Sequence, residues 1–255
     1  METITLVTWN TQGNVFADGK INHLINTYHP DIICLQECGN LDGTRVVFQD
    51  GYSAGRIRRG TYEHGIRSGI KYNVFFYPWG RIGRCSMAVM VNSKFNVSDY
   101  SLISLYFQKE DDSYEDIISE TTDMRGDEDY VEERKGLRSM LRVNIRHEDD
   151  DISINNVHLP SGRPSFARKV GYEFIDDCFN NCSRNIIIIG DMNTLPDSWR
   201  YPYSLRVTAP TIYTHTCGKI LDYMFTNMSK LYVEVDDDFH SSDHLAVFYE
   251  LQLTC

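Results

Sequence analysis

The sequence predicts an α+β fold in which two packed sheets carry helices on their outer faces. Three observations lead there. Most apolar runs are short and strand-like, several are joined as hairpins, and few stretches carry helical spacing. No internal repeat or low-complexity linker interrupts the 255 residues, so a single domain over 1–255 is expected. The 42 % hydrophobic content is ample for a core.

The elements follow in order. "ITLVTWN" reads as the first strand. Ile21, Leu24, Ile25 and Tyr28 form a helical stripe that His29-Pro30 should stop. "DIICLQE" is a second strand. "YNVFFYP" and "RCSMAVMVNS" read as an antiparallel pair around a Gly-containing turn, and "LRSMLRVNIRH" and "DISINNVHL" as another across "EDDD". Phe166, Val170 and Phe174 mark a helix. Next comes "NIIIIGDMNTLPD", residues 185–197, whose isoleucine run reads as a strand buried on both faces. It stops abruptly at Gly190, Asp191 and Asn193, which is either turn chemistry or a rigid rod aiming oxygen ligands at one spot. After a loop rich in Pro, Tyr and Thr, "ILDYMFTN", "KLYVEV" and "HLAVFYELQL" are the last strands.

The net charge of −11 is unevenly distributed. Segment 108–135 holds twelve acids and four bases, a local −8, and reads as a solvated insertion; an acidic flap mimicking a polyanion is the alternative. Residues 56–84 set Arg56, Arg58, Arg59, Arg67, Lys71, Arg81 and Arg84 against Glu63 alone, a local +6. That stretch either binds a phosphate backbone or is a solvated loop, so overall acidity does not exclude a nucleic-acid partner. "YPW" and "SWRYPYS" could stack bases or cover the core.

No run of about 18 apolar residues occurs, so no membrane span is expected. The opening "METITLVTWN" lacks the charged and apolar regions of a secretory signal. The expectation is a chain that stays in its producing cell or leaves without a cleaved signal, unless a signal has been trimmed away. Seven cysteines without a CxxC pair argue against structural zinc and for free thiols.

The polar residues cluster where the strands end. "LVTWN" ends in Asn10, "CLQE" in Glu37, "INNVH" in His158 and "IIIIGDMN" in Asp191 and Asn193. "ILD" supplies Asp222, and "SSDH" places Asp243 and His244 at the start of the last strand. If these ends converge, they offer hard oxygen ligands and two imidazoles without thiolates, a set suited to Mg²⁺, Mn²⁺ or Ca²⁺.

The ordered set "WN", "QE", "VH", "GDMN", "LDY" and "SDH" resembles the endonuclease/exonuclease/phosphatase superfamily, typified by deoxyribonuclease I. It runs from Trp9 to His244 in the family's order. Within that superfamily, "VTWNTQGN", "QECG" and "APTIYTHTCGKILDYM" look most like the catalytic B subunit of cytolethal distending toxins. The resemblance implies a four-layer α/β/β/α sandwich and metal-dependent hydrolysis of phosphate esters.

Roles carry over by position. The resemblance makes Glu37 the principal metal ligand, with Asn10 and Asp243 close to the metal and phosphate. Asp191 would orient or deprotonate the attacking water, and Asn193 would help hold water and phosphate. Asp222 would fix the tautomer of His244 and favour its protonated form. His158 would donate a hydrogen bond or proton to the phosphate. Arg138 and Arg67 occupy places of phosphate-contacting arginines, and a guanidinium fork suits that task.

The chain also departs from its relatives. It shows no secretion signal or companion toxin subunits, and its acidic segment lengthens the region before Arg138. The glutamate that deoxyribonuclease I pairs with an active-site histidine has no convincing counterpart here. The implied activity is a DNA endonuclease, with a host nucleus as one place of action; a phosphatase of phosphoinositides or other phosphomonoesters uses the same catalytic set. A non-catalytic binding module on this fold is the third reading.

Overall fold

The computed structural model describes residues 2–13, 19–39, 41, 45–49, 56–65, 69–78, 86–106, 137–148, 150–161, 164–181, 185–200, 205–237 and 242–253. The acidic segment 108–135 therefore lies outside the described residues. So do Arg67, Arg81, Arg84, Trp79 and the aromatic 201–204.

Among the described residues, fourteen strands form two sheets. One has the order β13-β14-β1-β2-β6-β5-β4-β3, the other β11-β12-β10-β9-β8-β7. The first comprises β1 (Thr3–Asn10), β2 (Ile32–Gln36), β3 (Val46–Phe48), β4 (Arg58–His64), β5 (Ile70–Tyr77), β6 (Met87–Asn92), β13 (Ser229–Asp236) and β14 (Ala246–Gln252). The second comprises β7 (Asn96–Tyr106), β8 (Leu137–His147), β9 (Asp150–His158), β10 (Asn185–Asp191), β11 (Arg206–Thr208) and β12 (Asp222–Thr226). Among the described residues the α-helices are α1 (Lys20–Tyr28) and α2 (Pro164–Asn181).

Three separate apolar clusters define the layers. Ile21, Leu24 and Ile25 of α1 pack with Val7, Trp9, Ile33 and Leu35 of the larger sheet. Ile4, Leu6, Cys34 and Val89 pack with Val143, Ile154, Ile187 and Ile189 between the sheets. Phe166, Val170 and Phe174 of α2 pack with Ile186, Ile188 and Phe225. The architecture is the four-layer α/β/β/α sandwich that the resemblance implied.

The isoleucine strand shows how the sequence specifies this. Successive strand side chains face opposite ways, so Ile187 and Ile189 enter the inter-sheet core while Ile186 and Ile188 face α2. Burying each contributes roughly 1.5–3 kcal/mol against chain entropy. Gly190 does not start a turn. It lies inside β10, between Val157 of β9 and Tyr223 of β12. Its φ is 148°, and a Cβ there would fall 2.0 Å from the Val157 carbonyl oxygen. Close approach of β9 is what requires glycine.

Helix α1 ends at the predicted place: His29 takes a left-handed φ of 46° and its N–H donates to the Ile25 carbonyl. Strands β3, β4, β7 and β11 were not legible in the sequence. The basic stretch is corrected in part, because Arg58 belongs to neither a solvated loop nor an exposed backbone-binding surface. It opens β4, is buried, and places its guanidinium carbon 3.9 Å from the Phe48 ring centroid. Among the described residues no helix is long and apolar enough to cross a membrane.

Candidate active site

The site forms because strand direction and register bring four strand ends and two strand starts to one edge of the sandwich. β1 runs parallel to β2, and β9 parallel to β10. All four contribute residues at or just after their carboxyl ends: Asn10, Glu37, His158 and Asp191. β12 is antiparallel to β10, and β14 to β1, so these two contribute at their beginnings. Asp191 consequently pairs in register with His158 on one side and Asp222 on the other. His244 stands just before β14.

A buried amide network fixes one sheet against the other beneath the site. Gln36 Nε2 donates to Asn156 Oδ1 at 2.7 Å, and Asn156 Nδ2 donates to the carbonyls of Leu35 and Ala88 at 2.9 and 3.0 Å. These bonds tie β9 to β2 and β6. The residue after Gln36, Glu37, has a left-handed φ of 47°. Its carbonyl accepts hydrogen bonds from Gly13 N and Thr11 Oγ1, which hold that turn in place. A non-glycine residue so held stores roughly 1–3 kcal/mol of strain, a cost concentrated at functional sites.

Asn10 Nδ2 donates to Glu37 Oε1 at 3.0 Å and to Asp191 Oδ2 at 3.1 Å, while its Oδ1 accepts from Gln12 N. One amide thus separates two carboxylates. Asp191 Oδ1 accepts from the backbone N–H of Asn193, whose φ is 46°. Asn193 Nδ2 donates to the Leu159 carbonyl at 2.7 Å. His158 Nε2 lies 3.6 Å from both Glu37 Oε1 and Asp191 Oδ2.

His244 Nδ1 meets Asp222 Oδ2 at 2.8 Å, which turns Nε2 toward Asp191 Oδ2 at 3.7 Å and Asp243 Oδ1 at 3.8 Å. Burial works against the charged ring. The Asp222 charge and hydrogen bond, reinforced by Asp191 and Asp243, outweigh it and raise the His244 pKa to about 10. Burial also raises the Asp222 carboxyl, with His244 opposing that rise. With three carboxylates around the ring, the pair's proton belongs on the imidazole.

The donor set fits a hard divalent cation. Asp243 Oδ1 is buried and has no hydrogen-bond partner among the described residues. Glu37 keeps a partly exposed carboxylate at the same edge. An oxygen taken out of water without a donor is costly unless a ligand fills the gap. Asp191, Asp222 and His244 form one compact group of acids and imidazoles, and His215, Asp243 and His244 form another. Both include His244, whose protonated ring offers no lone pair, and neither includes Glu37 or Asn10, so the carboxylates are the donors that fit the ion.

Sequence reasoning missed His215 and Thr214. His215 Nε2 lies 3.3 Å from Asp243 Oδ2, and its ring meets His244 edge-on at 4.6 Å between centroids. Thr214 Oγ1 accepts the backbone N–H groups of Leu221 and Asp222. The spacing of "THTCG" from "SDH" gives no periodic signal; only their pairing across an isolated backbone bridge brings them together. Arg138 lies in β8 with its backbone paired to Leu105, and its side chain lies outside the described residues, as does all of Arg67.

The endonuclease/exonuclease/phosphatase family model matches residues 7–244. In structure the chain is similar to cytolethal distending toxin from Actinobacillus actinomycetemcomitans, with a TM-score of 0.65 at 17 % identity, covering 96 % of this chain and 97 % of that one. It is similar to truncated TDP2 from Caenorhabditis elegans, with a TM-score of 0.61 at 14 % identity, covering 98 % and 97 %. An endonuclease/exonuclease/phosphatase from Beutenbergia cavernae gives 0.58 at 16 % identity, covering 99 % of this chain and 72 % of that one. At these identities the likeness establishes the fold and leaves the substrate open. No curated protein matches the chain by sequence. The matched span begins inside β1 and ends on His244, so it takes in every strand end that meets at this edge: the chain belongs to the endonuclease/exonuclease/phosphatase family.

Proposed function

We propose that the chain is a divalent-metal-dependent phosphodiesterase and that its substrate is DNA. One observation carries the hydrolytic reading. Two imidazoles from different sheets, His158 and His244, bring Nε2 to 3.6 and 3.7 Å from the same Asp191 oxygen. A carboxylate that accepts a proton, flanked by groups that donate one, is what attack of water on a phosphate ester needs.

In this reading Asp191 Oδ2 takes the proton of the attacking water as the water's oxygen bonds to phosphorus. The charge that develops on the phosphoryl oxygens faces the His244 imidazolium, whose ring is held in orientation by Asp222. His158 donates to the phosphate and gives its proton to the leaving oxygen, which departs as an alcohol. Asn193 and Arg138 hold the phosphate. Glu37 and Asp243, with Asn10 beside them, would hold the cation, Mg²⁺ first and Mn²⁺ or Ca²⁺ in its place. When bound, such an ion supplies charge neutralisation at the phosphate and the leaving oxygen.

The DNA reading is supported by where the basic stretch begins. Arg58 is level with Leu35 across β5 and β6, so β4 starts at the same edge as the site. Three strand spacings separate β4 from β2, about 14 Å. Arg56, exposed just before β4, is thus placed where a polyanion reaches and a small phosphate ester does not. The test is incubation of pure protein and Mg²⁺ with supercoiled plasmid, beside a phosphoinositide panel. Plasmid nicking without phosphate release from the panel is expected; phosphate release without nicking would overturn the DNA reading in favour of a phosphatase.

A further inference from the structure

We infer that His215 is a positioning residue: it orients the Asp243 carboxylate so that Oδ1 is presented to the reacting centre. The inference rests on the hydrolytic reading above and adds to it a residue that the ordered motifs do not contain.

The hydrogen bonds assign the His215 tautomer. The backbone N–H of Cys217 donates to His215 Nδ1 at 2.9 Å. A ring nitrogen that accepts carries no proton, so the neutral ring holds its proton on Nε2. Nε2 is the atom that lies 3.3 Å from Asp243 Oδ2. Oδ2 is thereby the carboxylate oxygen that faces the His215 ring nitrogen. The other, Oδ1, is buried, 3.8 Å from His244 Nε2, and has no hydrogen-bond partner among the described residues.

The His215 backbone is itself held. It bridges to His244, through Thr216 N–H to the Asp243 carbonyl at 2.9 Å and Leu245 N–H to the Thr214 carbonyl at 2.7 Å. Its own N–H donates to the Lys219 carbonyl, and its carbonyl accepts from Gly218. The ring stands at 87° to the His244 ring. The Asp243 backbone is held, its carbonyl by Thr216 N–H and its own N–H by Gln12 Oε1 at 3.3 Å, but its side chain is 37 % exposed. A short carboxylate there swings freely about its side-chain torsions unless a donor pins one oxygen, and groups that orient a ligand or reacting side chain are worth about tenfold to a hundredfold in activity or metal affinity.

His215→Ala is expected to lower kcat for plasmid nicking by about tenfold to a hundredfold, with KM changed less than about twofold. His215→Gln should recover most of the loss, because the glutamine amide can place an N–H where Nε2–H stood. In an Asp243→Asn background, His215→Ala should cost little more, since both act through one carboxylate. Equal losses in Ala and Gln, full activity in His215→Ala, or losses that multiply with Asp243→Asn would each overturn the inference.

Two readouts stand apart from turnover. A long-range ¹H–¹⁵N spectrum of the wild-type protein should show His215 protonated on Nε2, and protonation on Nδ1 would overturn the inference even if no variant folds. The Mg²⁺-induced rise in Tm should be smaller in His215→Ala than in wild type, and an equal rise would count against it. If wild type hydrolyses no phosphodiester, the hydrolytic reading fails, and these two readouts still decide whether His215 orients Asp243. If His158→Ala is inactive while His215→Ala is fully active, only the role of His215 fails.

Discussion

Asn10 of β1 and Asp191 of β10 stand 181 positions apart on different sheets, yet the Asn10 amide nitrogen lies 3.1 Å from Asp191 Oδ2. The same nitrogen reaches Glu37 Oε1 at 3.0 Å. A neutral amide between two acids keeps their oxygens from facing each other bare. Asn10→Ala should therefore lower turnover by roughly tenfold to a hundredfold by removing the donor that both carboxylates share. The measurement is kcat for plasmid nicking in Mg²⁺, and an unchanged kcat would remove Asn10 from this account.

The two imidazoles should behave as one unit. His158→Ala and His244→Ala are each expected to cost about a hundredfold or more in turnover, the scale of a lost acid–base or electrostatic group. The double variant should be far less than multiplicatively worse. A single variant with near wild-type turnover would show that its histidine has no part in the chemistry.

Legibility in the sequence follows physical cause. The isoleucine strand was readable because burial on both faces leaves no polar residue to break the run. Asn10, Glu37, His158, Asp191, Asn193, Asp222, Asp243 and His244 were readable as strand ends, and the fold brings them to one edge. β4 was hidden: Arg58 and Arg59 mask a strand whose alternation is real, with Arg58 buried and Arg59 exposed. β7 was hidden because its outward positions are polar and it lies at a sheet edge. His215 escaped because its partner Asp243 is distant in sequence, and pairing of two loops carries no periodic mark. The sequence leaves Gly190 between turn chemistry and a rigid strand, since the close approach of β9 that requires it is a tertiary fact.

Stability should depend on pH through His244. Its folded pKa, about 10, lies above the ordinary histidine value of 6.5. A raised pKa means that the stabilisation is full below about pH 6.5 and is lost as pH climbs through about 10. The Tm advantage of wild type over His244→Gln, followed from pH 6 upward in metal-free buffer, should shrink across that window. An advantage that grows with pH would show that the ring is not held as the imidazolium.

The arginines of the basic stretch should separate by burial. Reversing Arg56 and Arg59 to Glu should weaken DNA binding regardless of sequence. Each lost backbone contact should flatten the dependence of log K on log salt by about 0.9. Arg58→Glu should instead destabilise the fold by roughly 2 kcal/mol or more, because it buries a carboxylate against the Phe48 ring. Binding curves across a salt series and thermal melts distinguish the two. If the Arg56 and Arg59 reversals leave the salt dependence unchanged, the support for DNA from this edge is gone.

The central claim is that carboxylates at these strand ends hold a divalent ion for phosphodiester hydrolysis. The direct measurement is plasmid nicking by metal-stripped protein in excess EDTA, then after addition of Mg²⁺ or Mn²⁺, for wild type and Glu37→Gln. The account predicts no nicking in EDTA, recovery with either ion in wild type, and a much higher metal requirement in Glu37→Gln at nearly unchanged Tm. Full activity of stripped protein in excess EDTA would contradict it.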